Sequence, residues 1–91
     1  PLLEIAASYG LKVIEDVAQA FGGEYGGKKL GTFGDVGCFS FFPTKRLGGV
    51  GDGGLIATDS ADTAELARLL RVHGSPRKYF HTRLGYNARL D

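Results

Sequence analysis

Apolar residues recur at helical spacing where the chain opens, at Leu2, Ile5, Ala6 and Tyr9, and Gly10 is placed to end that helix in the left-handed conformation. The period then changes. Leu11-Lys12-Val13-Ile14-Glu15 reads as a strand, and helix, glycine, strand in succession is half of an alternating α/β layer. The glycine-rich stretch from Gly22 to Gly31 predicts a small hairpin turned at Gly26-Gly27. Val36 to Phe42 is a run of strand formers that stops at Pro43. Its alternation puts Val36, Cys38 and Ser40 on one face and Gly37, Phe39 and Phe41 on the other, both mostly apolar, as in a strand covered on both sides. A glycine tract, Gly48 to Gly54, separates it from a further strand, Leu55 to Thr58. Asp59 or Ser60 caps a second helix, Ala61 to about Val72, with Leu66, Leu69 and Leu70 on its buried side and Gly74 and Pro76 beyond its end. The tail from Ser75 to Asp91 interleaves arginines with Tyr79, Phe80 and Tyr86 at no clear period, as in an irregular surface or a subunit contact.

Composition narrows the class. An apolar content of 43% with 23% charged residues belongs to a soluble globular chain, and a net charge of +1 gives no pull toward nucleic acid or lipid. The longest apolar runs are a few residues, too short to span a membrane. The single cysteine, Cys38, excludes an internal disulfide, sits in a strand expected to be buried, and suits a reducing, cytoplasmic setting. The chain has no methionine and opens on Pro1-Leu2-Leu3 already in helical periodicity, which reads as an excerpt from a longer polypeptide.

Three residues carry candidate chemistry. Asp16 falls at a strand's carboxyl end, the edge of an open α/β sheet where ligands bind, and equally it can cap the turn entering Val17-Ala18-Gln19-Ala20. Ser40 is the polar exception on an apolar strand, so its hydroxyl needs either a backbone carbonyl or an anionic ligand. Lys45 follows in a loop at the end of that strand. A loop lysine is usually just solvated, but apolar surroundings favour the neutral amine, the form that attacks a carbonyl. Two motif matches fail. Gly22, Gly27 and Lys28 have the phosphate-loop spacing, but Lys29 stands where serine or threonine must hold magnesium; Gly49, Gly51 and Gly54 spell a dinucleotide fingerprint that leads into a strand and not a helix.

Taken together, Ile14-Glu15-Asp16-Val17-Ala18-Gln19-Ala20, Phe39-Ser40-Phe41-Phe42-Pro43-Thr44-Lys45, Gly51-Asp52-Gly53-Gly54 and Gly85-Tyr86-Asn87 resemble the pyridoxal-phosphate-dependent sugar aminotransferases of the aspartate aminotransferase fold. The resemblance keeps order and spacing over essentially the whole chain. It implies that residues 1–91 are the central part of the large cofactor-binding domain, a mostly parallel sheet flanked by helices, without the earlier phosphate-binding helix or the later small domain. It implies pyridoxal phosphate as cofactor, with Lys45 as the Schiff-base lysine that also moves the proton and Asp16 as the carboxylate beneath the ring nitrogen. Gln19 matches a residue near the ring, Ser40 a phosphate ligand, and Asn87 an asparagine that reaches a phosphate in the neighbouring subunit's site, so the active unit is at least a homodimer. The implied substrates are a nucleotide-linked keto-sugar and an amino acid donor, typically glutamate.

Arg46, Val17 and Ala88 depart from residues common in such enzymes, which bears on substrate preference more than on mechanism. A related dehydratase branch has histidine in place of the lysine, and Lys45 argues against it. His73 and His81 have no metal-ligand spacing. Two alternatives stand beside this reading: another enzyme of the same fold, such as a lyase or desulfurase, or a non-catalytic binding or regulatory module. The isolated 91 residues are expected to expose apolar sheet surface and to show little activity.

Overall fold

A computed structural model describes residues 1–91. Seven elements follow in the order α1 (Leu2–Ser8), β1 (Ile14–Asp16), β2 (Glu24–Tyr25), β3 (Lys28–Lys29), β4 (Val36–Ser40), β5 (Gly54–Ala57) and α2 (Ala61–Leu70). Strands β1, β4 and β5 form one sheet in that order, and β2 with β3 is a separate hairpin. The parallel pairing expected of the sheet holds between β1 and β4, whereas β5 runs antiparallel to β4. The molecule is a slab of 45 × 35 × 16 Å, thin enough that only five of its 91 residues are buried.

The strand boundaries differ from the sequence expectation for identifiable reasons. β1 starts at Ile14 and not at Leu11, because the preceding backbone groups bond elsewhere: Leu11 N–H to Ala6 O (2.8 Å) and Val13 N–H to the Asp35 carboxylate (2.9 Å). β4 ends at Ser40, where the serine Oγ accepts the Phe42 N–H (3.3 Å) and turns the chain. α2 stops at Leu70, two residues short of Val72, and Ser60 is its cap, accepting the Thr63 N–H at 3.2 Å. Leu69 and Leu70 are half-buried, but Leu66 remains 40% exposed. The hairpin turns at Gly26 and Gly27 with φ of 58° and 78°, the pair of positive values that a two-residue turn needs.

One carboxylate ties the excursion between β1 and β4 together. Glu15 Oε1 accepts the N–H groups of Phe33 (2.6 Å) and Gly34 (2.8 Å), and Oε2 accepts that of Gly31 (2.7 Å). Burial raises the Glu15 carboxyl pKa, but the three amides and the charge of Lys28 outweigh it and hold the group below its ordinary range. Asp35 makes a second clasp at the other end of β1, accepting from Lys12 Nζ (2.8 Å) and Val13 N–H. The Lys12 hydrogen bond lowers the Asp35 carboxyl and Asp35 raises the Lys12 amine, although both side chains are exposed and such a pair adds little stability. Gly37 is buried against Gly31, and a Cβ there would collide with the Gly31 carbonyl. On the same face Phe39 lies edge-on to Phe21 (5.9 Å between centroids), and Phe41 does likewise (6.1 Å).

Two outcomes follow. Gly37→Ala in the full-length protein is expected to lower unfolding free energy by roughly 2 kcal/mol, because backbone and not a flexible side chain must move, as read by urea denaturation. Glu15 has a lower pKa folded than unfolded, so its contribution is complete above the ordinary value of 4.5 and is lost as pH falls through the folded value. The stability gap between wild type and Glu15→Gln is therefore expected to be constant near neutral pH and to narrow below that value; a gap indifferent to pH contradicts the clasp.

Candidate active site

The parallel register pairs Ile14 with Val36 and Asp16 with Cys38. Partners in register share a sheet face, and so do residues two apart along a strand, so Asp16, Cys38 and Ser40 share one face while Glu15, Gly37 and Phe39 share the other. The Glu15 face is closed by the loop 17–34. The Asp16 face is open: Ile14 is 68% and Ile56, which pairs with Cys38, is 55% exposed. Cys38 is consequently half-buried and not buried.

Asp16 and Ser40 thus stand at the carboxyl ends of neighbouring parallel strands. Asp16 Oδ1 accepts the Ala18 N–H (3.0 Å), so the turn-capping role is realised with one oxygen, and Oδ2 has no partner in the chain. Ser40 takes neither of the roles expected for it within the chain: its Oγ accepts from Phe42, which leaves its proton undonated. Lys45 lies in the turn after Pro43, half-buried, with its N–H bonded to Phe42 O (2.8 Å) and its ammonium in no ion pair. The loop is closed behind it by Gly49 N–H to Phe41 O (2.7 Å) and Phe41 N–H to Gly53 O (2.8 Å). Gln19 is exposed in the turn that follows β1. Asn87 is bridged to Val72 beyond α2, with Tyr86 N–H on Leu70 O (2.7 Å) and Ala88 N–H on Arg71 O (3.0 Å). The structure therefore places Asp16 and Ser40 at the ends of paired strands with Lys45 in the turn that follows β4, and bridges Asn87 to the segment beyond α2.

The glycine tract leads into β5 with no helix after it, and the Gly22–Lys28 stretch is hairpin, so neither discarded phosphate motif has its required setting. His81 Nδ1 lies 2.9 Å from His73 O, a local tail contact. Asp16, Ser40 and Lys45 line none of the principal clefts; the one of about 480 Å³ runs between β4, β5 and α2, lined by Cys38, Leu55, Ile56, Ala64 and Arg68 among others. Sequence reasoning missed Glu15 and Asp35. The available signal was Glu15's position on the apolar face of its strand, where a carboxylate must find donors, followed by a Gly-Thr-Phe-Gly run able to supply N–H groups.

The sequence profile of the DegT/DnrJ/EryC1/StrS aminotransferase family matches residues 1–91. The chain belongs to that family. A UDP-N-acetyl-3-dehydro-alpha-D-glucosamine 3-aminotransferase from Acidithiobacillus ferrooxidans is 52% identical over 90 residues, 99% of this chain and 24% of that protein. A pleiotropic regulatory protein from Geobacillus stearothermophilus is 56% identical over 87 residues, 96% of this chain and 23% of that protein. The crystal structure of S. venezuelae DesV in complex with a ketimine intermediate superposes with a TM-score of 0.93 at 47% identity, covering 99% of this chain and 24% of that one. The chain spans about a quarter of the length of the curated relatives it matches. The fold is accordingly that of the DegT/DnrJ/EryC1/StrS aminotransferases, met here in one segment.

Groups with free donors or acceptors facing solvent contribute little to folding. Asp16→Asn, Ser40→Ala and Lys45→Ala are each expected to change unfolding free energy of the full-length protein by less than about 1 kcal/mol, whereas Glu15→Ala, which strands three amides, costs about 2–3 kcal/mol. Equal losses at all four positions, measured by urea denaturation, contradict a functional reading of the first three.

Proposed function

We propose that this chain is the central part, residues 1–91, of the large domain of a pyridoxal-phosphate-dependent aminotransferase that transfers an amino group from an amino acid, glutamate by expectation, to a nucleotide-linked keto-sugar. The observation that carries the reading is the set of groups left without partners at the ends of two parallel strands: a carboxylate oxygen of Asp16, the hydroxyl proton of Ser40 and the ammonium of Lys45. That donor set fits the cofactor, which presents a protonatable ring nitrogen, a phosphate and an aldehyde. Aminotransferases of this family are pyridoxal-phosphate enzymes.

Each residue then has a physical task. Asp16 would face the ring nitrogen with its free oxygen, while the Ala18 N–H fixes the carboxylate's orientation. Ser40 donates to the phosphate, with the Phe42 N–H orienting the hydroxyl from behind. Lys45 would be the residue that holds the cofactor's aldehyde and carries a proton as a base, its backbone fixed by the turn closed on Phe42 O. Bound pyridoxal phosphate supplies the electron-accepting ring that stabilises the carbanion. Gln19 lies in the turn after Asp16 and is assigned to the ring's phenolic side. Asn87, bridged to Val72 beyond α2, is assigned by the family resemblance to the phosphate of a neighbouring subunit, so the enzyme is proposed to be a homodimer. No helix is long and apolar enough to cross a membrane, and a cytoplasmic biosynthetic enzyme is proposed.

One observation favours a second reading. The Geobacillus relative is named a regulatory protein, so a cofactor-binding module without transamination is the alternative. Borohydride reduction of the full-length protein after addition of pyridoxal phosphate, followed by peptide mass mapping, tests the site. A pyridoxyl adduct on Lys45 is expected, and an unmodified Lys45 overturns the assignment. Transamination of a keto-sugar by the labelled-competent protein then separates the enzyme from the module.

A further inference from the structure

We propose that Glu15 is a positioning residue for this site, its hold on the Gly31–Gly34 loop fixing the β1–β4 register and with it the placement of Asp16 against Ser40. The inference rests on the reading of the site given above. β1 is only three residues long, so its own ladder with β4 is short. A slip of one residue would turn Asp16 to the closed face of the sheet. Two devices hold the strand against slipping. At the end remote from the site, Asp35 takes Lys12 and the Val13 N–H, and Thr58 Oγ1 donates to Asp35 O (2.8 Å). At the end nearest the site, beyond the ladder and the Val17 N–H to Cys38 O bond (2.8 Å), the hold is Glu15, adjacent in sequence to Asp16 and pointing to the opposite face.

The geometry uses the whole carboxylate. Oε1 takes two amides and Oε2 the third, and Lys28 is the charged group that acts on it. Glutamine preserves the shape and the Oε1 contacts but sets an NH2 group against the Gly31 N–H, so the loop must shift at the point where it feeds β4. Aspartate keeps the charge but withdraws both oxygens by one methylene.

The test is an absorbance titration of the full-length apoprotein with pyridoxal phosphate, beside thermal melts, for wild type, Glu15→Gln, Glu15→Asp and the control Ser60→Ala, which removes only the α2 cap. Glu15→Gln is expected to weaken cofactor binding roughly tenfold at a temperature where it is fully folded, the scale of one lost charge-assisted hydrogen bond. Ser60→Ala is expected to melt earlier with an unchanged dissociation constant. Glu15→Asp is expected to fall between wild type and Glu15→Gln, and it carries the test if Glu15→Gln does not fold. A lower melting temperature with wild-type cofactor affinity in the Glu15 variants makes Glu15 purely structural and overturns the proposal alone. Wild-type protein that binds no cofactor overturns both the proposed function and this inference.

Discussion

The excursion between β1 and β4 is closed by the meeting of one carboxylate with three backbone amides. Glu15 gathers the N–H groups of Gly31, Phe33 and Gly34, and so returns a loop of some fifteen residues to the strand it left. Those amides have no strand or helix partner of their own, and a buried amide without an acceptor is costly. Satisfying all three with one charged group delivers the chain to β4 in parallel register with β1. It also presses Gly31 onto Gly37, where no side chain fits. The sheet's Glu15 face is then packed, with Phe21 against Phe39, and Asp16 lies on the opposite face.

The elements were legible because their signals are local. Helical spacing from Leu2 to Tyr9, the positive-φ pair at Gly26 and Gly27, and the Ser60 cap depend on neighbours a few residues away, and each is where the pattern puts it. Asp16, Ser40 and Lys45 were legible as candidates because polar groups at apolar strand ends are conspicuous, and their spacing carried a family resemblance that the profile match bears out for the chain as a whole. What was not legible depends on contacts remote in sequence. Glu15 reaches 16 to 19 residues ahead and Asp35 reaches 22 back, so neither partnership, nor the late start of β1 that the second one causes, is written in local periodicity. The openness of the Asp16 face likewise escaped the alternation of β4, which reads as covered on both sides.

The division of carboxylates is the physical core of the account. Glu15 and Asp16 are consecutive, yet one has all its acceptor capacity spent on backbone and the other keeps an oxygen free. Strand alternation alone produces that separation, turning adjacent residues to opposite faces of the sheet. The Lys45 ammonium makes no ion pair with either carboxylate. Asp16 and Ser40 end neighbouring parallel strands, at the edge where open α/β sheets bind their ligands, and Lys45 follows in the turn after β4.

The most direct test of this account is a crystal structure of the full-length protein grown with pyridoxal phosphate. The account predicts continuous density joining Lys45 Nζ to the cofactor, Asp16 Oδ2 facing the ring nitrogen, Ser40 on the phosphate, and Glu15 still bonded to Gly31, Phe33 and Gly34. Cofactor bound away from the β1 and β4 ends, or Lys45 unlinked with Asp16 turned from the ring, would contradict it.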